Sequence, residues 1–172
     1  MKKIILLGYM GCGKSTIANK LSGMIQIPYV DLDEYIEKKT NLTINQIFEQ
    51  YGEIYFRKLE HDVFVELLNS PDNSIIVLGG GTPCYANNHE LLKSDNVVSV
   101  YLKASIDTLF NRLSHNKSKR PLIADKSDAE MKEFIAKHLF DRSFYYNQAQ
   151  YKVIVDDKTI DETVHDIVAI LA

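Results

Sequence analysis

The chain has 172 residues, 45% of them hydrophobic, and a formal net charge of −3. That length suits a single domain, 1–172, with one core, and the mildly acidic balance offers no general attraction to nucleic acid or to an anionic membrane surface. Small molecules are the partners this leaves, and a monomer is expected. Cys12 and Cys84 lie far apart and form no C-x-x-C pair, so neither a disulfide framework nor a zinc site is indicated, and a reducing cytoplasm fits. Met1-Lys2-Lys3 followed by the short apolar run Ile4 to Leu7 falls short of a signal peptide, and no stretch approaches the roughly 18 apolar residues of a membrane span.

Ile4 to Leu7 is wholly apolar and ends at Gly8, which predicts a strand buried on both faces of a parallel sheet. A helix follows from near Gly13 or Lys14, with Ile17, Leu21, Met24 and Ile25 at helical spacing and Gly23 a tolerated blemish. Tyr29 to Leu32 is a weaker strand. From Asp33 to about Leu68 the apolar positions keep helical spacing with breaks at Asn41 and Gly52, so two or three helices form an insertion between strands. Ile75 to Leu78, Val97 to Leu102 and Tyr151 to Val155 read as three further strands. Five strands alternating with helices predict an α/β fold, a parallel sheet flanked by helices on both faces. Between Ser114 and Asp128 the composition turns polar and charged around Pro121, which marks a long functional surface loop.

Gly8-Tyr9-Met10-Gly11-Cys12-Gly13-Lys14-Ser15 matches G-x-x-x-x-G-K-[ST] between a predicted strand and a predicted helix, the setting a P-loop requires. Its glycines let backbone N–H groups turn inward around phosphate oxygens at a helix N-terminus. Lys14 is expected at the β- and γ-phosphates and the Ser15 hydroxyl on Mg²⁺, which implies an ATP-type nucleotide with Mg²⁺ as cofactor. Cys12 occupies a motif position that tolerates many residues, and no catalytic role is assigned to its thiol.

Later residues bear on the acceptor. Asp31 and Asp33 follow the second strand and can face the crevice at the carboxyl edge of the sheet, although Asp33 could equally cap a helix beginning at Glu34. Arg57 and Glu60 share a helix face, where their spacing alone favours an ordinary solvated ion pair. Gly79-Gly80-Gly81 directly follows a strand and permits close approach, with a merely flexible turn as the competing reading. His115, Lys117, Lys119 and Arg120 form either a closing lid or a solvated basic loop. His61, His89, His138 and His165 make no H-E-x-x-H pattern and are assigned no metal or catalytic role.

Taken in order, the P-loop, Asp31-x-Asp33, Phe56-Arg57-x-x-Glu60, Gly79-Gly80-Gly81, Arg120-Pro121-Leu122 and Arg142-x-x-x-Tyr146 resemble shikimate kinase over nearly the whole chain. The resemblance implies a P-loop fold of the nucleoside monophosphate kinase type, with a five-stranded parallel sheet, a substrate-binding insertion at about 33–61 and a lid at about 114–128. It implies that Gly11, Cys12, Gly13, Lys14, Ser15 and Thr16 meet the nucleotide, with Arg112 near adenine, where a plain surface helix residue is the alternative. Asp33, Arg57, Gly80, Gly81 and Arg142 would hold shikimate, with Gly79 beside them. Asp31 would assist Ser15 at Mg²⁺, and Lys14, Asp33 and Arg120 would be catalytic.

The implied reaction moves the γ-phosphoryl group of ATP to the 3-hydroxyl of shikimate, on the route to chorismate and aromatic amino acids. Two features depart from the family pattern: the stretch from Arg120 to Arg142 is a little longer, and Phe144 stands where a proline is common. The P-loop and topology alone would also suit a gluconate or nucleoside monophosphate kinase, or a nucleotide-binding regulatory protein without catalysis. Arg57, the three glycines and Arg142 argue against the first two, and the absence of an N-K-x-D motif argues against a guanine-nucleotide switch.

Overall fold

Strand β1 (Lys3–Leu7) is buried along its whole length. It lies at the centre of the sheet because it has no polar face to show to water. It pairs in parallel with β3 (Ile75–Val77) on one side and β4 (Val97–Lys103) on the other, with Leu6 opposite both Val77 and Val100. β2 (Tyr29–Asp31) lies outside β3, and β5 (Tyr151–Ile154) lies outside β4. The order is β2-β3-β1-β4-β5, five parallel strands as the sequence predicts. The weak apolar signal of β2 has a physical reason: it is an edge strand, with Tyr29 exposed and Val30 and Asp31 half-buried. The computed structural model describes residues 3–172, so Met1 and Lys2, which open the basic and apolar start considered above, lie outside the described residues.

Helices cover the sheet: α1 (Lys14–Ile25), α2 (Leu32–Thr40), α3 (Ile44–Asn69), α4 (Asn88–Leu91), α5 (Ile106–Ser114), α6 (Asp128–Tyr146) and α7 (Ile160–Leu171). α1 packs with α7, α5 with α6, and α2 with α3, the last two filling the insertion between β2 and β3. Capping boxes start three helices, through Thr43 and Gln46 for α3, Ser127 and Glu130 for α6, and Thr159 and Glu162 for α7. Both predicted breaks in the insertion are present. Asn41 ends α2 in a left-handed conformation, and Gly52, at φ 84° and ψ 172°, bends α3 between two helical stretches. Two features carried no periodic signal, the 3₁₀ turn Thr82–Cys84 and the single-turn α4.

Between α5 and α6 the chain makes a 3₁₀ turn over Lys117–Lys119 and then passes Pro121. Ile123 is fully buried and pins this loop to the body, and the Lys117 ammonium donates to the carbonyl of Lys126 within it. Among the described residues no helix is long and apolar enough to cross a membrane.

Gly52 holds a backbone conformation open essentially to glycine alone, yet a Cβ there would meet nothing within 4 Å. Gly52→Ala should therefore lower the unfolding free energy by about 1–3 kcal/mol through backbone strain alone. Urea denaturation of the two proteins measures this, and a loss under about 0.5 kcal/mol would show that α3 bends without strain.

Candidate active site

In the order β2-β3-β1-β4-β5, the loops after β1 and β3 leave their adjacent carboxyl ends in opposite directions, which opens a crevice between them. The crevice has a volume of about 450 Å³ and is lined by the P-loop, Asp31, Asp33, Gly79, Gly80, Arg112 and Arg120. On its donor side, Gly13 takes a left-handed conformation at the start of α1, and no side chain caps that helix. α2, α3, α5, α6 and α7 each receive a side-chain oxygen at the same place. The orphan N–H groups and partial positive charge of α1 are thus left facing the crevice, where an anion can satisfy them.

Lys14 lies across the loop, its ammonium donating to the carbonyls of Gly8 at 2.7 Å and Tyr9 at 3.1 Å. Ser15 and Thr16 line the same wall. The side chain of Cys12 does not: it is buried, and its sulfur packs behind Gly8, where even a Cβ would come within 2.8 Å of it. Arg112 is more than a surface helix residue. It is half-buried and its Nη1 donates to the carbonyl of Cys12 at 3.1 Å, bracing the loop from α5.

The two carboxylates divide their work differently from the expectation that Asp33 could serve as a helix cap. α2 begins two residues earlier than a cap at Asp33 would need, so Asp31 is the cap, its Oδ1 accepting from the backbone N–H groups of Asp33 at 3.0 Å and Glu34 at 3.3 Å. Its other oxygen accepts from the Ser15 hydroxyl at 3.3 Å. Asp33 is left free to point into the crevice. Burial pushes its carboxyl up to about 6, with Asp31 and Glu60 adding repulsion and Lys14 and Arg57 opposing it.

The three glycines answer to side chains, since none of them has positive φ. A Cβ on Gly79 would approach the Asp33 carboxylate to 3.2 Å, one on Gly80 the Arg142 Nη1 to 3.1 Å, and one on Gly81 the Arg57 Nη2 to 2.8 Å. Each glycine makes room for one of the three expected acceptor-binding groups, so a merely flexible turn is the wrong description.

The Arg57–Glu60 pair is likewise not a solvated one. Glu60 is 1% exposed, its Oε1 accepting from Arg57 Nη1 at 2.9 Å and its Oε2 from the Thr82 hydroxyl at 2.8 Å. Helix spacing could not reveal this, because the burial comes from the 3₁₀ turn after β3. Arg142 lies over the ring of Tyr9, and one turn later the Tyr146 hydroxyl donates to the carbonyl of Gly80 at 2.6 Å. The Tyr9 hydroxyl meets His138 Nδ1 at 2.9 Å, which ties the P-loop to α6. Burial, then the Arg142 charge, lowers the His138 pKa.

Lys14, Arg112, Arg120 and Arg142 have no carboxylate partner among the described residues, whereas Arg57 is paired. Leu113 and Asn116, which sequence reasoning passed over, also line the crevice. Cys84 sits beside Arg57 and Arg142, and burial raises its thiol to about 11, so it stays protonated at neutral pH.

The cationic donor side of the crevice, with its uncapped helix N-terminus, suits an anionic ligand. The family model for shikimate kinase matches residues 10–172. A shikimate kinase from Flavobacterium johnsoniae is 74% identical over the full length of both chains. The chain belongs to the shikimate kinase family. It is an ATP-dependent kinase of the shikimate pathway, serving aromatic amino acid biosynthesis, and the gluconate and nucleoside monophosphate kinase readings fall away. Among solved structures, the shikimate kinase from Bacteroides thetaiotaomicron superposes with a TM-score of 0.91 at 34% identity, covering 99% of this chain and 98% of that one. The Acinetobacter baumannii enzyme, solved in complex with shikimate, does so with 0.85 at 30% identity, covering 99% and 93%.

The raised Asp33 pKa is also a statement about stability. Its folded value of about 6 lies above the ordinary 3.8, so the stability it contributes is complete below about pH 4 and is lost as pH rises through about 6. At neutral pH the ionised carboxylate costs on the order of 3 kcal/mol in the protein without ligands. Asp33→Asn should then unfold at higher urea than the parent at pH 7.5, and the advantage should vanish near pH 4. A pH-independent difference would contradict the assignment.

Proposed function

We propose that the chain transfers the γ-phosphoryl group of ATP to the 3-hydroxyl of shikimate, with the P-loop as donor site and the walls around Asp33, Arg57 and Arg142 as acceptor site. The observation that carries this is a crevice in which Lys14, Arg112 and Arg120, none with a carboxylate partner, face the uncapped start of α1 and the half-buried Asp33 carboxylate. The nucleotide phosphates take the uncapped N-terminus of α1, where Lys14 engages the β- and γ-groups. Arg57 and Arg142 hold the shikimate carboxylate and its neighbouring hydroxyls, using the forked geometry of the guanidinium. Asp33, ionised near neutral pH, accepts a hydrogen bond from the acceptor hydroxyl and takes its proton as the phosphoryl group arrives. The insertion at about 33–61 carries the acceptor, and the loop at about 114–128 acts as a lid whose Arg120, already on the crevice wall, meets the charge redistributed in transfer while the loop excludes water.

Ser15 and Asp31 suit Mg²⁺. Their oxygens lie 3.3 Å apart on the crevice wall, and among the described residues no cluster of three or more acidic, His or Cys side chains could form an all-protein cage. Mg²⁺ takes few protein ligands and completes its shell with phosphate and water, so a hydroxyl and one carboxylate acting through water fit it. When bound, the ion neutralises charge on the phosphates. One chain supplies every group named, so a monomer suffices, and two free cysteines accord with a cytoplasmic setting.

Lys14→Ala should reduce turnover by about a thousandfold. Arg57→Ala should instead weaken shikimate binding by about 30- to 100-fold and leave ATP affinity within about threefold, as read by calorimetric titration. Unchanged shikimate affinity would remove Arg57 from the acceptor site. The profile of kcat/KM for shikimate, followed by coupled ADP release between about pH 5 and pH 8, should fall on the acid side with a midpoint near pH 6. A flat acid limb would rule out Asp33 as the base.

A further inference from the structure

We propose that Tyr85 is a positioning residue for the acceptor, fixing the plane of the Arg57 guanidinium through a strained turn that presses its ring onto it. The proposal rests on the reading of Arg57 as an acceptor-binding residue. The Arg57 guanidinium carbon lies 3.9 Å from the centre of the Tyr85 ring, closer than its 5.1 Å to the ring of Phe56. Glu60 hydrogen-bonds the same group at one point, through Nη1, while Glu53 lies 3.8 Å from Nε as an ion pair without a hydrogen bond, Nε being buried with no hydrogen-bond partner. A planar fork recognises a carboxylate when its plane, and not just its charge, is set. One hydrogen bond and one ion pair too long to be directional leave that plane free to turn. A ring stacked on the face removes the freedom, and the cation–π attraction holds it there.

The turn that delivers Tyr85 is unusual. Ala86 and Asn87 follow it with φ of 51° and 55°, two consecutive left-handed residues closed by the Asn88 N–H donating to the Tyr85 carbonyl at 3.0 Å. Glycine, asparagine and aspartate dominate such turns, and an alanine at the first central position is disfavoured by its Cβ. The strain persists because the next residue is stapled. Asn88 is fully buried, its Nδ2 donating to the carbonyl of Thr82 at 2.9 Å and its Oδ1 facing His61 Nδ1 at 2.7 Å. Thr82 in turn bonds the Glu60 that pairs with Arg57. The backbone strain, the buried staple and the ring therefore converge on one guanidinium. Strain held by a surrounding network beside a binding group is the pattern of a preorganised site.

The experiment compares steady-state constants and melting temperatures of the full-length protein and four variants. Tyr85→Leu should raise KM for shikimate about five- to tenfold, with kcat, KM for ATP and Tm little changed, because the residue is 37% exposed and is not a core support. Tyr85→Phe, which keeps the ring, should restore KM to within about twofold of the parent. Ala86→Gly relaxes the turn, so it should raise shikimate KM by about threefold at a Tm no lower than the parent's, a combination that a purely structural role does not give. Arg57→Ala serves as the control. If it raises shikimate KM while Tyr85→Leu leaves it within about twofold, the positioning role is overturned and the acceptor-site reading survives. If neither variant moves it, the acceptor-site reading itself fails. A Tyr85→Phe value as high as that of Tyr85→Leu would assign the effect to the hydroxyl and overturn the stacking role.

Discussion

Positive groups that are brought together without negative partners repel one another, and the fold must hold them in place by other means. In this chain Lys14, Arg112 and Arg120 line one crevice and Arg142 stands against Gly80 in its wall, all with no carboxylate of their own, beside a helix N-terminus that no side chain caps. The means of holding them are neutral. Lys14 and Arg112 rest on carbonyls of the P-loop, Arg142 on an aromatic ring, and Arg120 on a loop anchored by buried Ile123. Their charge therefore remains available to phosphates and to a carboxylate substrate, which is the electrostatic preorganisation that phosphoryl transfer relies on.

The same field sets the state of Asp33. Burial and then the Asp31 and Glu60 charges raise its carboxyl, and Lys14 and Arg57 offset part of that rise, so it titrates at about 6, ionised at neutral pH yet with some affinity for a proton. Asp31 makes this division of labour possible by taking over the capping of α2. Two residues apart, one carboxylate is taken up by backbone N–H groups and a hydroxyl, and the other faces the crevice.

Much of the fold was legible in the sequence because its signals are local. The apolar runs of β1, β3 and β4 report burial on both faces, Asn41 and Gly52 mark breaks through their backbone preferences, and the P-loop is a contiguous motif. The faint strand β2 proved to be an edge, where one side needs no apolar cover. The 3₁₀ turn and the short α4 left no trace because three or four residues cannot establish a period.

The site divides along a similar line. By itself the sequence determined the strand, loop and helix that bind phosphate, the alternation that makes a parallel sheet, and the residue types placed at its carboxyl edge, since all of these follow from neighbours in the chain. Only the tertiary structure decided that Asp31 rather than Asp33 is the cap, that Glu60 is buried, and that each of Gly79, Gly80 and Gly81 stands against a different functional side chain. It also decided that Tyr85 lies on Arg57 and Tyr9 beneath Arg142. For the cap the reason is where β2 ends, at Asp31; for the rest it is distance along the chain. Burial and stacking arise between segments tens of residues apart, so no local spacing can encode which of two similar groups ends up desolvated, paired or free.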